Sequence, residues 1–268
     1  MTTLIEPDIR SAGDDISRST RDIALFLDFD GTLVEIAPSP DSVKVDRRLP
    51  AALDSVRLRL GGALALVSGR PISFLDAMMQ PFSFDAAGLH GAQIRVAGAL
   101  REQADTPDAM REATRALIRF ANSHVGIIVE DKDLSVALHW RLAPRLHDEA
   151  LDLMRNLARS MGPTVRLQEG KAVAELVPAS ASKGGAIASL MQVEAYAGRL
   201  PVFIGDDITD EAGFAAVNAM GGLSVRIGAG ETIAGCRLDS PTDLRRILLA
   251  AADDGVLNAS SFFPSRLA

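Results

Sequence analysis

Two aspartates spaced two apart, Asp28 and Asp30, close an apolar run from Ile23 to Leu27 and are followed by Gly31-Thr32-Leu33. A run of that composition predicts a buried strand. Carboxylates at the end of such a strand are costly unless something pairs with them. In an open parallel α/β sheet that edge is where ligands bind. One carboxylate there can attack phosphorus and carry the phosphoryl group, splitting one displacement into two. The second can give a proton to the departing oxygen and later take one from water. A third acid, Asp206, stands in Gly205-Asp206-Asp207-Ile208-Thr209-Asp210-Glu211 after another short apolar run. Carboxylates of this kind bind magnesium together with waters and substrate phosphate. Each string also has a plainer reading, Asp30-Gly31 as a turn and Thr209 as a helix cap.

Phosphate also needs cations and hydroxyls around it. Lys183 follows Ser182 at the start of a predicted helix, and Ser68 follows the apolar run Ala63 to Val67 in Ser68-Gly69-Arg70. Alone, each suits an ordinary helix start or turn.

The elements that must position these groups follow in order. Helices are expected over 49–60, 72–79, 107–121, 146–161, 182–191, 211–217 and 241–252, with Pro50 and Pro241 at two starts. Core strands are expected at 23–27, 63–67, 84–87, 202–204 and 223–227. From about Thr106 the pattern changes to helix, hairpin, helix, hairpin, with turns at 130–133 and 169–171. Antiparallel hairpins within a parallel pattern predict an α/β core with a mostly parallel sheet, residues 1–105 and 179–268, and an inserted α+β cap, 106–178. Residues 1–20 read as a loose lead-in, Pro38-Ser39-Pro40-Asp41 as a loop and 258–268 as a tail.

The chain has 268 residues, 47% hydrophobic and 24% charged, with a net charge of -7. That balance, with no basic stripe, argues against a nucleic-acid partner. No apolar stretch is long enough to span a membrane, and the polar N-terminus has no secretory apolar core. A single cysteine, Cys236, excludes a disulfide within the chain and suits a cytoplasmic location. No protein partner is legible.

Taken in order, Asp28-x-Asp30-Gly31-Thr32, Ser68-Gly69-Arg70, Lys183-Gly184 and Gly205-Asp206-Asp207 resemble the four motifs of the haloacid-dehalogenase-like (HAD) phosphatases. Gly88-Leu89-His90-Gly91, Glu130-Asp131-Lys132, His139-Trp140-Arg141 and Gly170-Lys171-Ala172-Val173-Ala174-Glu175-Leu176 resemble signatures of the trehalose-6-phosphate phosphatases within that superfamily. The resemblance covers about residues 23–250. It implies a HAD-like Rossmannoid core and an Mg²⁺-dependent phosphatase acting on a small sugar phosphate. Asp28 would be the nucleophile and Asp30 the general acid/base. Asp28, the Asp30 carbonyl and Asp206 would hold Mg²⁺, with Asp207 close by, and Ser68 and Lys183 would bind the phosphoryl group. Glu130, Lys132, Arg141, Lys171 and Glu175 of the cap, with His90 of the core, would contact substrate. Trp140 replaces a frequent Tyr, and Asp133 replaces a small residue or Gly and adds negative charge at a hairpin tip. Phosphatases of other sugar phosphates, such as sucrose 6-phosphate or mannosylglycerate phosphate, share the core motifs. A non-catalytic regulator on the same fold would be expected to lose Asp28, Asp30 or Lys183.

Overall fold

The structure is a computed structural model that describes residues 23–37, 42–102, 108–170, 172–257 and 259–262. The expected lead-in, the loop at Pro38–Asp41, Lys171 and most of the expected tail lie outside the described residues. The chain divides into two compact units: residues up to 65, 80–82 and from 188 onward form one, and residues 66–79 and 83–187 the other.

The first unit is built on parallel strands. β1 (Ile23–Leu27) pairs with β10 (Leu200–Gly205), β10 with β11 (Leu223–Ile227), and β11 with the short β12 (Cys236–Leu238). Every residue of β1 is buried, as expected of a strand covered on both faces. Phe26 stacks on Tyr196 with ring centroids 5.5 Å apart, and the Tyr196 hydroxyl donates to the Leu64 carbonyl at 3.1 Å. That bond removes the cost of burying a phenol. α6 (Glu211–Ala219) packs on β10 and β11, α7 (Pro241–Asp254) on β12, and α1 (Leu49–Arg59) against α7. α7 starts where Pro241 follows Ser240, whose hydroxyl accepts the Asp243 amide at 3.2 Å, and stops at Gly255 with φ 78°. β12, unforeseen in the sequence, has only three residues. Of the expected tail, Phe262 is fully buried.

β2 (Leu64–Val67) begins in the first unit and ends in the second. In the second unit, the Ser68 amide donates to the Ala87 carbonyl at 2.8 Å, at the end of β3 (Asp85–Gly88). β4 (Gln93–Val96) and β5 (Ala99–Glu102) extend β3 antiparallel. This hairpin was not anticipated. Its turn rests on Ala97 (φ 48°) and Gly98 (φ 79°), and alanine is a weak turn signal. α2 (Ile72–Met79) precedes β3 and α5 (Lys183–Leu190) follows the last hairpin.

A separate antiparallel sheet occupies the middle of this unit, in the order β6 (Ile128–Asp131), β7 (Val136–His139), β9 (Val173–Pro178), β8 (Val165–Gly170). α3 (Asp108–Ser123) and α4 (His147–Met161) pack on one face of it. Met110 and Leu117 of α3 and Ala150 and Met154 of α4 close a core with Val136, Leu138, Ala174 and Leu176. Trp140 is buried in that same core, so its exchange for Tyr concerns packing beneath the helices. Because side chains alternate along strands, Ala137 and Glu175 point to the opposite face. β6 starts three residues later than its apolar run suggests. Val125, at the head of that run, is 90% exposed, while Glu130 and Asp131 lie inside the strand.

Candidate active site

The first unit gathers acids because two parallel strands end at one edge. Leu27 pairs with Ile204, and the Asp28 amide donates to the Ile204 carbonyl at 2.9 Å. Asp28 therefore leaves β1 beside the exit of β10, where Asp206 follows. Carboxylate oxygens of Asp28, Asp206 and Asp210 all lie within 4.8 Å of one another. Asp28 is 4% exposed and Asp210 fully buried. Among the described residues the group that converges here is made of hard carboxylate oxygens, which fits a small divalent cation and not a soft metal.

Asp210 has a further task. One of its oxygens accepts the amides of Asp206 and Asp207 at 3.0 and 2.9 Å, folding the acidic loop back on itself. The sequence reading passed over Asp210. Its spacing of three from Asp207 is that of a capping box, and this was the available signal. Gly31 makes room for Asp206: a Cβ built on it would fall 2.1 Å from the Asp206 carboxylate, and its φ of 79° is itself glycine-like. Thr32, buried beside it, donates to Asp206 at 3.4 Å. Asp30 is half-buried in the tight turn closed by the Gly31 amide on the Val34 carbonyl at 2.8 Å.

The second unit holds the other candidates. Ser68 is buried and its hydroxyl accepts the Arg70 amide at 3.1 Å. Lys183 is the first residue of α5 and is buried, behind Ser182, whose hydroxyl accepts the Gly185 amide at 2.9 Å. Glu175 is the centre of a polar cluster. Its carboxylate accepts Lys132 Nζ at 3.0 Å and the Ser135 hydroxyl at 2.6 Å, and His90 Nε2 stands 3.5 Å away. Lys132 and Glu175 side chains are 7% and 9% exposed. Burial pushes the Glu175 pKa up, but Lys132, His90 and Ser135 together outweigh it and hold the carboxyl well below its usual range. Glu130 behaves similarly: burial raises its pKa, while the His139 bond at 3.0 Å, Lys132 and Arg70 bring it down.

Sheet register explains the grouping. Glu130 pairs with Ala137, Ala137 with Glu175, and Glu175 with Gln168. One row across four strands thus carries two acids and an amide on the face away from α3 and α4. Arg141, two residues beyond β7, is exposed, unlike Lys132 and Glu175. His90 takes a left-handed backbone (φ 57°, ψ 21°) after Leu89 (φ 50°). The turn is held by the Leu89 amide on Arg70 O at 3.0 Å and the His90 amide on Ser68 O at 2.9 Å. Two successive left-handed residues other than glycine are strained, which is characteristic of functional loops. Asp133 is also left-handed (φ 66°), which accounts for Gly being suited to that position.

Fold and acids together define a class. A haloacid dehalogenase-like hydrolase from Bacteroides thetaiotaomicron superposes with a TM-score of 0.59 over 85% of this chain and 98% of its own, at 15% identity; the fold is the HAD-like α/β fold with a mostly parallel central sheet. The family model described as trehalose-phosphatase matches residues 26–241. A probable trehalose-phosphate phosphatase of Sinorhizobium fredii is 46% identical over 206 residues, 76% of this chain and 77% of that one. The trehalose-6-phosphate phosphatase of Escherichia coli is 43% identical over 222 residues, 82% and 83% of the two chains. This chain belongs to the trehalose-phosphatase family, whose members are phosphoric monoester hydrolases.

Proposed function

We propose that this chain hydrolyses trehalose 6-phosphate to trehalose and phosphate in trehalose biosynthesis. The observation that carries the reading is the β1–β10 register, which sets Asp28 beside Asp206 in a family whose relatives are named for this substrate. Asp28 attacks phosphorus, and the phosphorus–oxygen bond to the sugar breaks as Asp30 gives the sugar oxygen its proton. Water then attacks the aspartyl-phosphate, Asp30 takes the proton, and phosphate leaves with Asp28 restored.

Asp28, the Asp30 carbonyl and Asp206 are the assigned Mg²⁺ ligands, and Asp210 braces the loop that carries Asp206. When bound, Mg²⁺ neutralises the clustered carboxylates and the phosphate charge. Ser68 and Lys183 are assigned to the phosphoryl oxygens. Glu130, Lys132 and Glu175 are assigned to the sugar hydroxyls, since carboxylates accept and ammonium groups donate several hydrogen bonds each. Arg141, His90 and Lys171 complete the assigned set. Residues 106–178 act as the cap, with 1–105 and 179–268 as the catalytic core. Among the described residues no helix is long and apolar enough to cross a membrane. With a single cysteine, the cytoplasm is the assigned compartment.

The test is phosphate release from trehalose 6-phosphate, sucrose 6-phosphate, glucose 6-phosphate and mannosylglycerate phosphate, each with Mg²⁺ and with EDTA. Metal-dependent preference for the trehalose ester supports the assignment. Metal-dependent preference for another ester overturns the cap assignments and keeps the chemistry. No turnover of any ester overturns both.

A further inference from the structure

His139 stands in a cap signature but has no task in the proposed function. It ends β7, opposite Ile128 and diagonally across from Glu130, whose own partner is Ala137. Residues two apart on a strand share a face. His139 therefore lies on the side of the sheet that carries Glu130 and Glu175, away from α3 and α4. A diagonal cross-strand pair is within reach of long side chains. Here the reach is used: His139 Nε2 is 3.0 Å from Glu130 Oε2.

The direction of that bond follows from chemistry. Burial raises the Glu130 pKa, and the His139 bond, Lys132 and Arg70 bring it below its usual range, so the group is a carboxylate at neutral pH. A carboxylate only accepts. His139 therefore donates from Nε2, whether the ring is neutral or charged. The two Glu130 oxygens then differ. Oε2 has the His139 bond, with Lys132 Nζ at 3.9 Å. Oε1 has Arg70 at 3.7 Å, beyond hydrogen-bond distance, and among the described residues no donor bonds it. Glu175 is unlike this, with Ser135 at 2.6 Å on Oε1 and Lys132 at 3.0 Å on Oε2.

We propose that His139 is a positioning residue: its Nε2–H holds Glu130 by Oε2 and leaves Oε1 as the oxygen that accepts a sugar hydroxyl. A long side chain fixed before the ligand arrives spares the ligand the cost of ordering it. A glutamate without this tether would have to be immobilised by the sugar itself. The hydroxyl rests on the function proposed above, whereas the pairing of His139 with Glu130 does not.

A double-mutant cycle tests this without substrate and with it. His139→Ala, Glu130→Ala and the double variant are unfolded in urea, and the double variant is expected to lose less in midpoint than the two single losses summed. On trehalose 6-phosphate, His139→Ala is expected to raise KM about tenfold with kcat changed far less, the pattern of a lost binding contact. In the Glu130→Ala background the same change is expected to lower kcat/KM less than about twofold, because the oxygen it held is gone. His139→Gln, whose amide can donate where Nε2 stood, is expected to recover most of the lost affinity. His139→Leu fills the space without a donor and stands in should His139→Ala not fold. Additive losses in either arm, or a His139→Gln no better than His139→Ala, overturn the proposal. Should wild type prefer another ester, the cycle is read on that ester: the substrate assignment falls, while coupling upholds the role of His139 and additivity overturns it. No turnover of any ester overturns the proposed function and the kinetic role of His139 with it.

Discussion

Two buried carboxylate sites in this chain meet the same cost differently. In the second unit Glu175 carries its own neutralisation: an ammonium and a hydroxyl from the chain lie within hydrogen-bond distance, and its pKa is driven down. In the first unit Asp28, Asp206 and Asp210 bring like charges within 4.8 Å of one another, and backbone amides brace one of the three. The first arrangement holds in place a group that the proposed function assigns to the sugar. The second gathers acids where the function proposed above sets a cation and a phosphoryl group. A site completed by its own chain should lose stability when altered, and a site built for reaction should lose rate.

The largest effect expected is on rate. Asp28→Asn keeps the shape and removes the proposed nucleophile, and phosphate release from trehalose 6-phosphate should fall on the order of 10⁴-fold. Its urea midpoint should move little, because the amide keeps the shape and most of the polar contacts of the carboxylate. A large fall in midpoint would break the contrast.

Glu175→Gln should do the opposite in kind. It takes from Lys132 the nearer of its two carboxylates, leaving Glu130 at 3.9 Å, and breaking a buried pair costs at most about 3–5 kcal/mol, read as a loss in unfolding free energy. The pair Glu175→Leu with Lys132→Met should recover much of that stability while substrate affinity stays lost. If the double variant is as unstable as the single, the ion pair was not the source of the cost.

The deficit of Glu175→Gln should also depend on pH. The folded-state pKa of Glu175 lies below its ordinary value of 4.5. Its contribution is therefore complete above that value and fades as the pH falls below it toward the folded-state pKa. Wild type and variant should converge in denaturation midpoint from neutral toward acid. A gap that stays constant with pH would show that Glu175 contributes by shape.

Asp210→Ala sits between the two kinds. Two amides lose their acceptor, so about 1–3 kcal/mol of stability should go, together with weaker Mg²⁺ dependence in an activity titration. Asp133→Gly should have the smallest effect. It relieves a left-handed residue but adds freedom to the unfolded chain, leaving stability within about 1 kcal/mol.

Much of this was legible in the sequence, for identifiable reasons. β1, α2 and β11 begin and end where the sequence pattern places them: β1 is an unbroken apolar run, and α2 and β11 keep apolar ends around isolated polar residues. β12 and the β4–β5 hairpin were not legible; each is short and made by pairing with a neighbour already in place. The Asp28 and Asp206 motifs were readable because each acid follows the strand that positions it. The bond from His139 to Glu130 was not. It is set by the diagonal across two paired strands, which residue-by-residue composition does not record. Asp210 was readable in principle, as the third residue of a capping box, and was passed over because it stands among four other acidic and hydroxyl residues.

Gly31 has a consequence for how this chain can change. The absent side chain at 31 is the mould of a carboxylate that the gene encodes much later, at Asp206. The left-handed turn already disfavours a side chain there, and the carboxylate adds a bar that no neighbour in sequence supplies: asparagine or aspartate, which tolerate such a turn better, would still obstruct the acid. Positions 31 and 206 form one unit of inheritance: a larger residue at the first is open only to a chain that has already given up or moved the second.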